Sequence, residues 1–411
     1  MASSSDAEEA SGEHLHLPSP SAAEALFNRD ILPEVLLRLD VKTVCKCQSV
    51  CKSWKDAIAN PSFVNMHRDR SSQRESLLLT ELDQFYFTFS RVDYKELNLD
   101  GAEVELKHVS SISVEGIAIG YLGYHAYAGD LVCLVSEPEV FHLCNPQTGQ
   151  SRALYEPFES YLHCEGNLNI GFVFGYMSPR SEYVVVTISR FWSDSDTDDD
   201  DDDRVASLWA SKFCFTHDSI NSACWKEIEE NCPCAVEQFG VVVGNSSYWV
   251  AAEKDVYSVT PIVTLDLVED KFQLIAGPQG WNPKLLPGLI GLKEKLYVID
   301  NDASNSGVLV IWGLNKSNEP YWVKDYEVKL DFPAATLPRT SSKGVLIVEL
   351  IHMVRKYYIL DPETGSVRLV FHEEFPFRSS LGFYWRSFFP LGKTTSSVGL
   401  DEQEHDSDQD D

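Results

Sequence analysis

One strand-turn-strand pattern recurs through this chain and confines most of it to a repeating β architecture. Val140-Phe-His-Leu-Cys-Asn-Pro-Gln-Thr-Gly-Gln-Ser-Arg-Ala-Leu154 aligns with Lys356-Tyr-Tyr-Ile-Leu-Asp-Pro-Glu-Thr-Gly-Ser-Val-Arg-Leu-Val370, sharing Pro-x-Thr-Gly and a later arginine. In each, Asn145 or Asp361 and the following proline start a turn, Gly149 or Gly365 supplies a positive φ, and β-branched or aromatic residues flank it. Similar hairpins are read at Ile262 to Ile275, Val308 to Val328 and, more loosely, Lys212 to Ile228. Those starting at 262, 308 and 356 recur every 46 to 48 residues, each behind a glycine-led apolar stretch: Gly240 to Trp249, Gly288 to Val298 and Gly344 to Ile351. Four short strands in about 45 residues make the unit of a propeller blade, a sheet that buries its faces only by packing on copies of itself. Ile170 to Ile228, Ser76 to Leu106 and Gly129 to Leu154 bring the expected total to about six blades, with Ser380 to Leu391 closing the ring.

Residues 27 to 64 follow a different period. Ile31, Leu32, Val35, Leu36 and Leu39 share one side of a helix, while Arg29, Asp30, Glu34 and Arg38 fall largely on the other. Cys47, Val50, Cys51 and Trp54, followed by Ile58, repeat the stripe and predict a second helix, which Asn60-Pro61-Ser62 stops before a short third one containing Phe63. Helices this short are marginal alone, so they require packing against one another or a partner.

The formal charge of −29 is concentrated. Residues 1–26 hold five acids, 194–203 eight and 401–411 seven, without Lys or Arg, which leaves −9 for the rest of the chain. Residues 27–70 run the other way, with eight Lys/Arg against five Asp/Glu, a basic module suited to an acidic partner surface. The large region has no basic stripe for phosphates, so nucleic acid is not an expected partner. No apolar run reaches the roughly 18 residues of a membrane span, and Met1-Ala-Ser-Ser-Ser-Asp lacks the regions of a secretory signal. A soluble protein of the cytoplasm and/or nucleus is expected, without membrane partners. Ten cysteines at irregular spacing then read as thiols, not as a disulfide framework.

Residues 27 to 64 resemble an F-box. The string runs Asp30-Ile-Leu, Glu34-Val-Leu-Leu-Arg-Leu, Val41-Lys-Thr, Val50-Cys-Lys-Ser-Trp54 and Pro61-Ser-Phe63, and the plant branch of the family matches best. Asn28 and Asp40 stand where the family usually has proline, and Cys45, Cys47 and Ser49 replace the usual Leu, Phe and Cys. The repeat region resembles the plant F-box-associated domain, a propeller-like interaction domain. Its landmarks are Leu143-Cys-Asn-Pro-Gln-Thr-Gly149, Gly171-Phe-Val-Phe-Gly-Tyr176 with Glu182-Tyr-Val-Val-Val186, Gly240 to Trp249, Leu265-Asp-Leu267, and Val310-Ile-Trp-Gly-Leu314 with Trp322-Val-Lys-Asp-Tyr326. The expected architecture is therefore multidomain: a disordered acidic tail over 1–24, a small all-α F-box over 25–70, an all-β propeller-like domain over 71–392 with a disordered acidic insertion at 193–204, and a second acidic tail over 393–411.

The resemblance implies a substrate receptor of a Skp-cullin-F-box ubiquitin ligase, with the F-box docking a Skp-type adaptor, and a cullin through it, while the β domain holds a target protein. Phe27, Ile31, Leu32, Val35, Leu36, Leu39, Val41, Val44, Val50 and Trp54 are the candidates for the adaptor-facing and core surface, with Trp54 on the internal side. The rival readings are a non-degradative scaffold on the adaptor and an enzyme with its active site in the propeller channel. No Gly-x-Ser-x-Gly, Walker loop, His-Glu-x-x-His or Gly-x-Gly-x-x-Gly is present, so no catalytic residue, cofactor or metal is assigned. Cys232-Pro-Cys234 lacks the second pair that structural zinc needs. The aromatic stretch Gly120 to Tyr127 reads as blade packing before recognition. Ser193, Ser195 and Thr197 each have aspartate at +1 and +3, so they are candidate sites for an acidophilic kinase.

Overall fold

The computed structural model describes residues 31–83, 86–92, 106–113, 124–136, 140–155, 168–192, 206–252, 259–281, 288–301, 307–316, 320–330, 332, 339–341, 344–351, 354–374 and 379–392. Phe27, the tails 1–24 and 393–411 and the segment 193–204 lie outside them. The chain divides into two compact units, Met1–His67 and Arg68–Asp411.

Helices occupy the first unit and reach into the start of the second: α1 (Ile31–Leu36), α2 (Val41–Cys47), α3 (Lys52–Ile58) and α4 (Pro61–Ser72). Asp40 caps α2, one carboxylate oxygen accepting from Thr43 N at 3.1 Å and the other from Thr43 Oγ1 at 2.6 Å. These bonds, the side-chain one first, hold the Asp40 carboxyl below its usual range. The aspartate thus starts the helix by hydrogen bonding where the family's proline does so by restricting φ. Asn60 Oδ1 accepts from Ser62 N at 2.9 Å, and Pro61 opens α4, which at twelve residues is longer than its sequence suggests.

The second stripe needs correction. Cys47, Val50, Cys51 and Trp54 do not lie on one helix, because α2 ends at Cys47 and α3 begins at Lys52. Ser49 Oγ donates to Lys46 O at 2.7 Å, closing the end of α2, and Cys51 takes an extended backbone as the residue before α3.

Twenty-four strands in the described residues form six four-stranded antiparallel sheets. The first blade comprises β1 (Ser76–Asp83), β2 (Tyr86–Val92), β3 (Lys107–Ser113) and, from the far end of the chain, β24 (Ser379–Tyr384). The second runs β4 (Tyr124–Ala128), β5 (Leu131–Ser136), β6 (Val140–Asn145) and β7 (Gln150–Leu154); the third runs β8 (Leu168–Met177), β9 (Glu182–Trp192), β10 (Ala206–Phe215) and β11 (Trp225–Ile228). The fourth has β12 (Val241–Val243), β13 (Ser246–Val250), β14 (Pro261–Asp266) and β15 (Lys271–Ala276), and the fifth β16 (Gly288–Leu292), β17 (Lys295–Asn301), β18 (Val308–Asn315) and β19 (Tyr321–Lys329). β20 (Arg339–Ser341), β21 (Gly344–Ile351), β22 (Val354–Leu360) and β23 (Val367–Glu374) make the sixth. The inner strands neighbour one another in the cyclic order β24, β4, β8, β12, β16, β20 and back to β24, so the sheets form a closed six-bladed propeller. The six blades and the closing role of the C-terminal strand match the sequence reading; β20, ahead of the Gly344 stretch, was not part of it.

Each seam between neighbouring blades holds one apolar cluster, and alternate residues of a strand feed opposite seams. Val184, Val186 and Ile188 of β9 face the fourth blade with Trp249 and Val263, while Tyr183 and Val185 join Phe141, Leu143 and Phe215 toward the second. Leu77 and Leu79 of β1 pack with Leu346 and Ile359, whereas Leu78 packs with Val132 and Leu134. Strands buried on both faces read as unbroken apolar runs, which is why these segments lack a polar alternation. Near the axis inner strands crowd, and Gly175 in β8 admits Val242 from β12: a Cβ there would lie 2.4 Å from the valine side chain.

The recurring turn has one geometry. Asn145 Oδ1 accepts from Gln147 N at 2.9 Å, Asp266 Oδ1 from Val268 N at 2.8 Å and Asp361 Oδ1 from Glu363 N at 3.0 Å. Four residues on, Gly149 (φ 69), Asp270 (φ 57) and Gly365 (φ 68) return an N–H to that first residue's carbonyl.

Candidate docking surface and propeller rims

The helical unit sorts its apolar side chains into two sets. Leu32 and Leu36 of α1, Val41 and Val44 of α2, Ile58 of α3, and Phe63 and Val64 of α4 are buried, with α3 against both α1 and α2. Leu37 is buried too, although its place beside Leu36 widens the apolar arc beyond the stripe read from the sequence. Leu39 and Trp54 are partly buried. By contrast Ile31, Val35 and Val50 are 53%, 47% and 61% exposed, and Met66 joins them as an exposed apolar side chain outside the candidate set. Ile31 and Val35, one helical turn apart, present an apolar ridge on α1, flanked in sequence by the exposed Glu34 and Arg38. Arg38, Lys42, Lys46, Lys52 and Lys55 are all exposed, so the unit's surface carries its excess of positive charge. Phe27 lies outside the described residues.

The propeller has two unlike rims, because in an antiparallel blade the first and third turns emerge at one end and the remaining connections at the other. The first rim carries most of the tight turns, Gly129–Asp130 between β4 and β5, Gly244–Asn245 between β12 and β13, Lys293–Glu294 between β16 and β17, and the recurring Asx turns, together with the strand ends joined by the longer connection 93–106 between β2 and β3. The chain leaves the propeller along this rim. Asn145 Nδ2 donates to Phe389 O at 2.9 Å, Arg152 Nη1 donates to Leu391 O at 3.2 Å, and the Phe389 ring sits edge-on to Tyr183 and Phe215.

At the other rim lie the strand ends joined by the long connections 114–123, 155–167, 193–205, 229–240, 251–260 and 277–287. The segment carrying Ser193, Ser195 and Thr197 joins two such ends, of β9 and β10, and lies outside the described residues. In the aromatic stretch, Gly120 to Gly123 lie outside them too, while Tyr127 packs within the ring. Its hydroxyl donates to Ser380 O at 2.9 Å and lies 2.8 Å from the Thr80 hydroxyl, which can donate to it, and its ring fills the space above Gly382. Cys232 and Cys234 are buried in the 229–240 connection, Cys232 Sγ lying 3.2 Å from Cys234 O, and burial pushes the Cys232 thiol up to about 12. No cluster of three or more His, Cys, Asp or Glu with metal-binding geometry occurs among the described residues. No described helix is long and apolar enough to cross a membrane.

Comparison with known proteins joins the two parts. Residues 26–65 match the F-box domain and residues 77–389 the F-box associated beta propeller domain. Among relatives in Arabidopsis thaliana, F-box protein CPR1 is 27% identical over 297 residues, covering 67% of this chain and 65% of its own length. F-box protein At2g34280 is 24% identical over 393 residues, covering 89% and 95%, and F-box protein At5g18160 23% identical over 347 residues, covering 82% and 80%. Among solved structures, TolB from Acinetobacter baumannii is 8% identical with a TM-score of 0.44, covering 79% of this chain and 72% of its own. With a helical F-box unit at 26–65 and six blades matched nearly end to end, the chain belongs to the F-box proteins that carry an F-box-associated β-propeller.

Proposed function

We propose that this protein is the substrate-recognition subunit of a Skp-cullin-F-box ubiquitin ligase. The helical unit, taken as residues 25–70, docks a Skp-type adaptor that leads to a cullin, and the propeller, taken as 71–392, holds a target protein. The observation that carries this reading is the exposed ridge of Ile31 and Val35, with Val50, on a basic module that matches the F-box. An exposed apolar ridge on a module that also exposes Arg38, Lys42, Lys46, Lys52 and Lys55 suits a partner face that combines apolar and acidic surface. In this reading transfer proceeds by proximity, with the reacting groups on other chains.

The rim of long connections is the target-facing side in this reading, because variable loops on a rigid scaffold adapt to a partner more readily than tight turns do. The acidic segment 193–204 between β9 and β10 adds charge there, and Ser193, Ser195 and Thr197 are its proposed phosphorylation sites. The protein acts in the cytoplasm or nucleus, with neither nucleic acid nor membrane as partner.

Adaptor co-purification tests the reading. Ile31→Asp with Val35→Asp should reduce capture of a Skp-type adaptor by at least tenfold while the helical signal persists, since both side chains are exposed. Undiminished capture by this folded variant overturns the assignment. Leu36→Ala is the contrasting control: it truncates the core, costs about 2–5 kcal/mol, and should weaken folding and capture together.

A further inference from the structure

The two-residue turn between β4 and β5, Gly129–Asp130, meets the C-terminal residues that complete the ring. Trp385 N donates to Gly129 O at 3.1 Å, and the Trp385 indole lies so close over Gly129 (φ 62) that a Cβ there would sit 2.3 Å from the ring. The adjoining Asp130 is fully buried. Its Oδ1 accepts from the Tyr183 hydroxyl of the third blade, and Ser387 is among the groups whose influence favours the ionised carboxylate. Oδ2 has no hydrogen-bond partner among the described residues.

The charged and titratable groups facing Asp130 are Arg68 from α4, Tyr183 from β9 and Tyr384 from β24, the last also under the influence of Arg386 and Arg91. Arg68 spends its guanidinium on Tyr176, lying 4.5 Å above the ring centre and donating to its hydroxyl. An ionised Asp130 therefore leaves one buried oxygen without a donor, a costly state in a medium of low polarity.

We propose that Asp130 is a protonation latch on ring closure: a proton taken up there neutralises the buried carboxylate, and so removes the cost of an ionised, unpartnered oxygen within the seam formed by Tyr183, Tyr384, Trp385 and Ser387. Mild acid then strengthens the closed propeller. The direction of titration agrees, since burial pushes the Asp130 carboxyl from 3.8 up to about 6 against the opposing pull of Ser387 and Arg68. With the folded value above the unfolded one, the stabilisation is complete below the unfolded value and is lost as pH rises through the folded one.

Urea denaturation of the full chain between pH 5 and 7.5, wild type beside Asp130→Asn, tests the latch. Asparagine keeps the shape and the acceptor for Tyr183 but stays neutral, so every other titrating group cancels in the difference. The variant should be the more stable at pH 7.5, and its advantage in folding constant should shrink roughly tenfold by pH 5. A pH-independent difference, or a variant that is less stable or unfolded at pH 7.5, overturns the proposal. A measurement on the wild type alone adds a second check: amide exchange in β24 relative to β18 should slow on acidification after correction for the intrinsic rates, and a constant ratio contradicts the latch.

Discussion

Asp270 shows how a single side chain is kept against its own backbone preference. It occupies the left-handed position that Gly149 and Gly365 fill in the equivalent turns, where an L-residue is disfavoured by roughly 1–2 kcal/mol, less for aspartate than for most. Its carboxylate meets the ammonium of Lys212, which is buried in the neighbouring blade and also donates to Leu267 O at 2.9 Å. A glycine would ease the turn but leave a buried cation with one partner fewer, a loss of about 1.5–3 kcal/mol for a charged hydrogen bond, reduced here because Asp270 is partly exposed. Asp270→Gly should therefore lower stability by about 1 kcal/mol, whereas in a Lys212→Met background the same change should be neutral or stabilising. A double-mutant cycle by urea denaturation measures this, and a stabilising Asp270→Gly in the wild-type background refutes it. The candidate docking residues divide by the same scrutiny. Sequence periodicity placed Ile31, Leu32, Val35 and Leu36 on one stripe, but a stripe of that width has an inner and an outer edge, and only packing separates buried Leu32 and Leu36 from exposed Ile31 and Val35.

At the scale of elements, the turn between β16 and β17 departs furthest from its preferred chemistry. Lys293 (φ 51) and Glu294 (φ 59) form a two-residue hairpin loop with both residues at positive φ, the geometry that favours Asn-Gly. Their side chains reach other blades, Lys293 to Glu363 and Glu294 Oε1 to Ser178 Oγ at 2.7 Å, but these contacts are exposed and screened by solvent. The double substitution Lys293→Asn with Glu294→Gly, which supplies the favoured pair, should raise stability by about 1 kcal/mol. A fall in the urea midpoint would show that the cross-blade contacts outweigh the backbone strain. The blades themselves were legible because strands buried on both faces carry long apolar runs, as in Val184 to Val186, and because the Asx turn repeats with its own residues. β20 was not legible: three residues, Arg339-Thr-Ser341, carry no apolar period, and the strand is held by pairing with β21. The break between α2 and α3 escaped for the opposite reason, since Cys47, Val50, Cys51 and Trp54 fit a helical period that the extended backbone of Cys51 interrupts.

At the scale of the whole molecule, stability of the ring depends on its last strand. β24 pairs with β1 from Ser76↔Tyr384 to Glu81↔Ser379, and the C-terminal stretch buries Leu381, Phe383, Tyr384, Phe388, Phe389 and Leu391. At about 1.5–3 kcal/mol for each buried side chain, their combined burial rivals the roughly 5–15 kcal/mol that separates a folded domain from its unfolded state. Ending the chain before Ser379 should therefore abolish the cooperative unfolding transition of the propeller while the helical unit keeps its helical signal and the adaptor capture proposed for it. An unchanged urea midpoint in the truncated protein would mean that closure is dispensable. The same clasp sets an order on biosynthesis. A ribosome delivers β1, β2 and β3 first among the strands and β24 last, so the opening blade waits with Leu77 and Leu79 unpaired on one side for everything between to be translated. At roughly 5–20 residues per second the wait lasts tens of seconds, during which the nascent propeller exposes apolar surface and unpaired strand edges while its helical unit is already complete.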